Sequence, residues 1–447
     1  MKMGKAQTEG AVAGNRTLTR RGFLRLGGAG LAGTALLGAT GCGSRGGDGD
    51  STLTFSAPPD ASGIVRKQVD RFNERGQGGF RVNLRMMPTE VDSHFSQLLT
   101  EFQAGGGSID VMQAESAWPV QFAANGYIAD ISDRFTEDMR AEHLNAPVET
   151  SALEGKVYGI PFYTDAGMLY YRKDLLEENG IGEPPRTWAE LKQMTGEVQD
   201  GSAGRKVFTF IGANYDGGVV NALEFIWNSG GDVLDPRDPT KVVIDSPEAV
   251  EGLQIERSMV TDGITPEAVV NYQVQEAYVP FLRGDAVFMR NWPFVYGLLS
   301  DPKQSKIKPE QVGVTVLPVA SNEIRSSSGL GGWNLAINAA SDRQDEAWEF
   351  VRYMADPERQ KERALEGGYM PTLENLYDDR DVQEGVPVTR LAKQAFENAR
   401  PRPKSPFYSD MSVAMAERFS ASLNGDITPK QAVEEIEKAL QEIIQQT

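Results

Sequence analysis

Runs with the two-residue period of a strand alternate along this chain with runs at helical spacing, and that alternation restricts its fold more than any other feature. Residues 52–56 alternate like a strand, and 64–73 place Ile64, Val65, Val69 and Phe72 on one helical face. Residues 80–87 read as a second strand, 94–104 as a helix with Phe95, Leu98, Leu99 and Phe102 aligned, and 109–113 as a third strand. A second round begins at Val157, with an extended stretch at 167–171, strands at 207–211 and 286–290, and a helix over 219–228 closed by Gly230-Gly231. From Val312 the chain turns back through Val314, Val316 and then 333–337. Thr187-Trp188-Ala189-Glu190 reads as a capping box. Thr428-Pro429-Lys430-Gln431 opens the final amphipathic helix of a largely helical C-terminal hundred residues. The pattern predicts α/β sheets covered by helices on both faces, with ligands bound outside the strands' carboxyl ends. Two such rounds with no linker-like segment between them predict two lobes that the chain crosses more than once, and a cleft between them as the ligand site.

Composition excludes several functions. At 447 residues the chain is long enough for about two or three domains and a sizeable core. A formal net charge of −18 argues against nucleic-acid binding, which depends on Lys and Arg neutralising phosphates. One cysteine rules out a disulfide framework, and two histidines leave little for a metal site. No cofactor or metal is called for. Both histidines, His94 beside a helix start and His143 in a polar loop, read as surface residues.

The N-terminus has its own character. Lys2, Lys5, Arg16, Arg20, Arg21 and Arg25 stand against one acid, Glu9, and a small, weakly apolar run over 26–41 follows, too short and glycine-rich for a membrane span. Residues 1–41 therefore read as an export signal. Arg20-Arg21-Gly22-Phe23-Leu24 resembles the twin-arginine signal, and Leu37-Gly38-Ala39-Thr40-Gly41-Cys42 resembles a lipobox, which makes Cys42 the candidate lipidation site. Two acyl chains would hold the protein on a membrane face, with 42–51 as a flexible Gly/Ser/Asp-rich tether. Gly28-Ala29-Gly30-Leu31-Ala32-Gly33 fits a dinucleotide-binding glycine pattern, but no strand precedes it and it falls within the expected signal. Removing the signal's six bases and one acid from 45 and 63 leaves 39 against 62, about −23.

The stretch Gly155-Lys156-Val157-Tyr158-Gly159-Ile160-Pro161-Phe162-Tyr163-Thr164-Asp165 continues through Leu169-Tyr170-Tyr171-Arg172-Lys173-Asp174 to Pro185-Arg186-Thr187-Trp188. With Ile109-Asp110-Val111, Gly329-Leu330-Gly331-Gly332-Trp333-Asn334 and Arg400-Pro401-Arg402-Pro403, it resembles the sugar-binding lipoproteins of bacterial ABC importers, the maltose- and trehalose-binding type. The resemblance runs through nearly all of the chain after the signal. It implies a two-lobe, maltose-binding-protein-like α/β fold of the type II periplasmic-binding class, with a helical C-terminus. The resemblance implies hinge crossings near 162–167, 329–333 and 367–371. By the same resemblance one lobe is expected to take 52–163 and 335–368, the other 164–334 and 369–447. It also implies a sugar ligand, transmembrane permease subunits as partners, a monomer, and no catalytic residues.

A sugar asks for carboxylates, amides and guanidinium groups at its hydroxyls and a flat aromatic under its C–H face. Glu115 and Trp118, past the third strand, match the family's acid and aromatic there, though a capping acid and a core tryptophan fit the same residues; Asp110 reads as structural. Asp165 matches a ligand-contacting acid at the first hinge. Asn214-Tyr215-Asp216 follows a strand where relatives carry Gln-Tyr-Glu, so the acid's shorter reach departs from the pattern. Glu224 is either a buried contact to sugar or the wet face of its helix. Asn291, Trp292, Gly332 and Trp333 are candidates at strand ends, Tyr369 at the third hinge, and Arg402 between its prolines, with Tyr408 a weaker one. The pattern of Asp165, Gly332-Trp333 and Arg402 looks closest to actinobacterial trehalose-binding lipoproteins. The competing readings are a receptor for another oligosaccharide, a peptide or a polyamine, and a secreted glycoside hydrolase, for which no motif marks a carboxylate pair.

Overall fold

The computed structural model describes residues 52–445 apart from 61, 201–203 and 206. The expected export signal, Cys42 and the tether lie outside the described residues.

The first sheet starts from three parallel strands, with Thr52–Ala57 between Arg81–Met86 and Val111–Glu115. Leu53 and Phe55 alternate inward from Thr52–Ala57 and are fully buried. They share a core with Val65, Val69 and Phe72 of the helix Ile64–Arg75, and Phe350 meets Phe55 edge-on at 5.2 Å. Burying each such side chain contributes roughly 1.5–3 kcal/mol. The sheet is completed by an antiparallel strand, Ser328–Ile337, which pairs with Val111–Glu115 along one edge and with Ile160–Ala166 along the other. This strand begins five residues before the expected 333–337. Gly329, Gly331 and Gly332 carry no strand signal, yet their backbones complete the pairing.

The second sheet runs Val207–Thr209, Ala286–Asn291, Met168–Arg172, Val312–Thr315 and is also mixed, with Met168–Arg172 antiparallel to both neighbours. Helices Asp216–Trp227, Pro247–Thr261, Tyr408–Asn424 and Pro429–Ile444 pack together around Leu223, Leu253, Met415 and Ile436. The final helix opens with a capping box: Thr428 Oγ1 accepts from Gln431 N–H at 3.2 Å and Gln431 Oε1 from Thr428 N–H at 2.9 Å.

Only Gly167 separates Ile160–Ala166 of the first sheet from Met168–Arg172 of the second. The chain returns between Val312–Thr315 and Ser328–Ile337. It leaves again after the helix Pro357–Gly367, whose Arg359 carbonyl accepts from Gln68 of Ile64–Arg75 at 2.9 Å. Met370 then joins the core of the second sheet. The result is a two-lobe α/β fold with a helical C-terminal region, the architecture that the family resemblance implies.

The histidines depart from their expected surface positions. His94 is fully buried and His143 only 9% exposed. His143 Nδ1 lies 2.9 Å from Thr372 Oγ1, and its ring meets Phe135 edge-on. Polar neighbours that point outward concealed both inward rings from a sequence reading. Burial lowers both to about 4, so each is neutral at physiological pH.

Glu256, on the buried face of Pro247–Thr261, has its carboxyl pushed up to about 8 by burial. A group protonated in the fold and ionised when unfolded contributes stability fully below its unfolded value of 4.5 and loses it as pH rises through about 8. Glu256→Gln should therefore raise the unfolding free energy near pH 8 by about 1–3 kcal/mol and flatten its decline above pH 4.5. Urea melts across that range check this, and parallel pH curves for the two proteins would refute it.

Candidate functional site

Strand ends and helix starts from both lobes meet on a cleft of about 460 Å³. Of the residues expected from sequence, Glu115, Asp165, Tyr215, Asp216, Trp292, Gly332, Trp333, Tyr369 and Arg402 all line it. Glu115 is the last residue of Val111–Glu115, and Asp216 the first of Asp216–Trp227, where a helix favours a negative charge. Trp292 directly follows Ala286–Asn291.

The carboxylates are held in different ways. Glu115 Oε2 accepts from Ala117 N–H at 2.9 Å and Oε1 from Ser116 Oγ at 2.8 Å and from Arg402. Asp216 Oδ1 accepts from Tyr408 and Ser412, each at 2.6 Å, and Oδ2 from Arg402. Burial works against the charge on Arg402, but the carboxylates of Glu115 and Asp216 outweigh it and keep the guanidinium protonated. The side chain of Asp165 lines the cleft and has no hydrogen-bond partner among the described residues. Burial, and then the nearby Glu115 charge, push its carboxyl up to about 8. The Tyr215 hydroxyl is buried without a partner.

Aromatic surfaces surround these groups. Trp333 presents one face to the cleft while His94 stacks behind it at 5.5 Å and Trp118 abuts it edge-on at 5.4 Å. Trp292 lies under the Arg290 guanidinium at 4.1 Å, and its carbonyl accepts from Tyr170 at 2.8 Å. Tyr163 and Tyr369 pack at 4.6 Å on the same lining. Gly332 stands at φ 115°, and a side chain there would run into the Tyr163 carbonyl.

Four expected residues do not line the cleft. Trp118 is only 5% exposed and acts as the backing of Trp333. Asn214 is exposed on its loop. Asn291 is fully buried, its Oδ1 accepting from Trp292 N–H at 2.9 Å and its Nδ2 donating to the Val274 carbonyl at 3.4 Å. Glu224 is on neither a wet face nor the cleft. It is 2% exposed and paired two-fold with Arg290, its Oε2 accepting from Arg290 Nε at 2.6 Å, and it also accepts from Gly329 N–H at 2.9 Å. Asp110 takes its expected structural place, accepting from Thr54 N–H at 2.8 Å and Ser341 Oγ at 2.6 Å.

Tyr163, not among the expected site residues, does carry a sequence signal: on a strand it shares a face with Asp165 two residues on. His94, and the helix start Gln273 to Tyr278 that closes the far wall, carry no motif that would have marked them. An arrangement of acids, one of them unsatisfied, beside open aromatic faces suits a compact ligand with hydroxyls at its rim and an apolar face.

The profile of the bacterial extracellular solute-binding protein family matches residues 61–361. A probable ABC transporter-binding protein of Deinococcus radiodurans is 32% identical over 388 residues, 85% of this chain and 90% of that protein. A maltotriose-binding protein of Pyrococcus abyssi is 28% identical over 65% of this chain and 60% of its own length. Among solved structures, maltose-bound T. maritima MalE3 superposes with a TM-score of 0.82 at 33% identity, covering 88% of this chain and all of that one.

Removing Glu224 would leave Arg290, itself 2% exposed, as an unpaired charge in the interior. Glu224→Ala should cost about 3–5 kcal/mol of stability, read as a lower urea midpoint. A midpoint shift below about 1 kcal/mol would show the pair to be dispensable.

Proposed function

Because the chain belongs to the bacterial extracellular solute-binding protein family, we propose that it is the sugar-capturing subunit of an ABC importer, closing its lobes on a glucose-containing disaccharide, with trehalose as the first candidate. Members of this family bind solutes and are not enzymes, so the cleft carboxylates serve to hold a ligand and not to hydrolyse one. The observation that carries the sugar reading is the Asp165 carboxyl, protonated by burial and unsatisfied within the chain, on the same cleft lining as the rings of Trp292 and Trp333. A sugar hydroxyl, donor and acceptor at once, supplies the missing partner, and the sugar's C–H face covers a ring. A maltose-type glucan is the second reading, favoured by the likeness to maltose-bound MalE3 and to the maltotriose-binding relative.

The Cys42 lipobox and the paired arginines support a protein exported by the twin-arginine route, anchored by lipid on the outer face of the cell membrane and working as a monomer with its permease.

Thermal melts with trehalose, maltose, sucrose and maltotriose test the ligand. At a hundredfold excess over Kd the bound sugar should add about 2.7 kcal/mol of stability. A response to maltose and maltotriose without trehalose would select the second reading, and a flat panel would sink both. Trp333→Ala should abolish the shift if that ring is the stacking surface; an undiminished shift would assign the platform to another ring.

A further inference from the structure

We propose that Arg363, a residue of the first lobe's interior that does not line the cleft, is a positioning residue for it: its guanidinium pins a bulge at Phe162 and so sets how Tyr163 and Asp165 stand against the strand of Trp333. The purpose of that setting rests on the sugar-binding reading above, while the setting itself is a matter of strand register.

Ile160–Ala166 and Ser328–Ile337 run antiparallel, and their pairing slips by one residue midway. Leu335 stands opposite Ile160 and Asn334 opposite Pro161, yet Trp333 stands opposite Tyr163. Phe162 is therefore the extra residue of a bulge, a device that re-aims the side chains beyond it. An unbroken register would bring Trp333 opposite Phe162 and Gly332 opposite Tyr163. With the bulge, Tyr163 meets Trp333 and Asp165 meets Gly331, and all four line the cleft.

A bulged residue loses its place in the ladder, and a buried carbonyl left without a donor is costly. Phe162 is fully buried, and its carbonyl accepts from Arg363 Nη2 at 3.0 Å while the guanidinium lies over its ring at 3.9 Å. Arg363 Nη1 donates to the Met354 carbonyl at 2.7 Å and to Gln68 Oε1 at 3.0 Å. These partners are neutral oxygens and a ring; the adjacent Glu362 is turned to Arg71 and Gln68. Arg363 is itself only 1% exposed. Burying a cation on such terms costs more than burying an apolar side chain, so filling space does not account for an arginine here.

The same residue holds the second chain segment at the cleft. The Arg363 carbonyl accepts from Tyr369 N–H at 3.2 Å, and the Tyr369 ring packs on Tyr163 at 4.6 Å. Thr164 N–H donates to the Met370 carbonyl at 3.1 Å, which joins the two segments directly. One turn earlier on the helix, Gln360 Oε1 accepts from Thr372 N–H at 2.8 Å, and Thr372 Oγ1 lies 3.2 Å from the Pro161 carbonyl. The inner face of Pro357–Gly367 thus grips both segments from behind. Tyr163, Asp165 and Tyr369 are held in place by it, and a guest is spared the cost of ordering them.

Hydrogen–deuterium exchange and calorimetry on the full chain test this with Arg363→Met and Arg363→Lys. The control is Arg359→Met, equally buried on the same helix, whose guanidinium contacts Tyr353, Glu358 and Glu362 instead. Arg363→Met should speed exchange in peptides covering 160–166 and 367–371 by roughly tenfold and leave 52–57 as in wild type. Trehalose or maltose, whichever stabilises the wild type, should bind it roughly ten- to a hundredfold more weakly. Arg363→Lys, with one ammonium in place of the fork, should fall between on both measures and carries the test if the methionine variant does not fold. Arg359→Met should show neither effect. Unchanged exchange over 160–166 would overturn the proposal, as would equal changes in Arg359→Met. Faster exchange with undiminished affinity would reduce Arg363 to a core residue. If the wild type binds no sugar but exchange behaves as described, the positioning stands and the sugar reading falls.

Discussion

The pair Glu224–Arg290 governs how the two lobes meet. Both side chains have left water at the point where the chain passes from one sheet to the other, and each would be costly alone. Around this pair the local structure falls into place. Gly167 lacks a side chain because a Cβ would collide with both partners, Gly329 donates its N–H to Glu224, and Trp292 lies against the Arg290 guanidinium. One buried ion pair thus sets the crossing, the start of the long joining strand and the pose of a cleft aromatic. A hydrophobic pair of the same volume could fill the space, but it could not fix Trp292 and the Gly329 N–H together.

The cleft itself is built from contrasts in how polar groups are satisfied. Glu115 and Asp216 have their oxygens occupied by chain donors, whereas Asp165 and the Tyr215 hydroxyl do not. A guest therefore meets some groups that are already oriented and others that still need partners. His94 is the apolar counterpart: kept uncharged by burial, it backs Trp333 as a flat filler and adds no charge to the wall.

Much of the layout could be read from the residues themselves. The strands and helices of the first lobe followed from their periods, because side chains such as Leu53, Phe55, Val69 and Phe72 each face a core on one side only. Nine of the thirteen expected site residues line one cleft, since strand ends and hinge glycines are local features. What escaped was non-local. Glu224 could not be told from a solvated helix face without Arg290, 66 positions away. His94 looked like a surface residue because its covering rings, Trp118 and Trp333, come from other elements. The early start of Ser328–Ile337 was hidden by glycines that pair through backbone and give no periodic signal.

Gly332 has a consequence for how such a receptor can diversify. Its left-handed backbone and the carbonyl of Tyr163 close behind it leave that wall no room to acquire a new side chain. The neighbouring Trp333 is similarly boxed in by His94 and Trp118. Divergence toward other guests is thus channelled to the opposite bank, where the exposed beginning of the helix Val274–Arg283 can change residue by residue without disturbing either core. One side of the binding gap is fixed architecture, and the other is the surface on which selection can act.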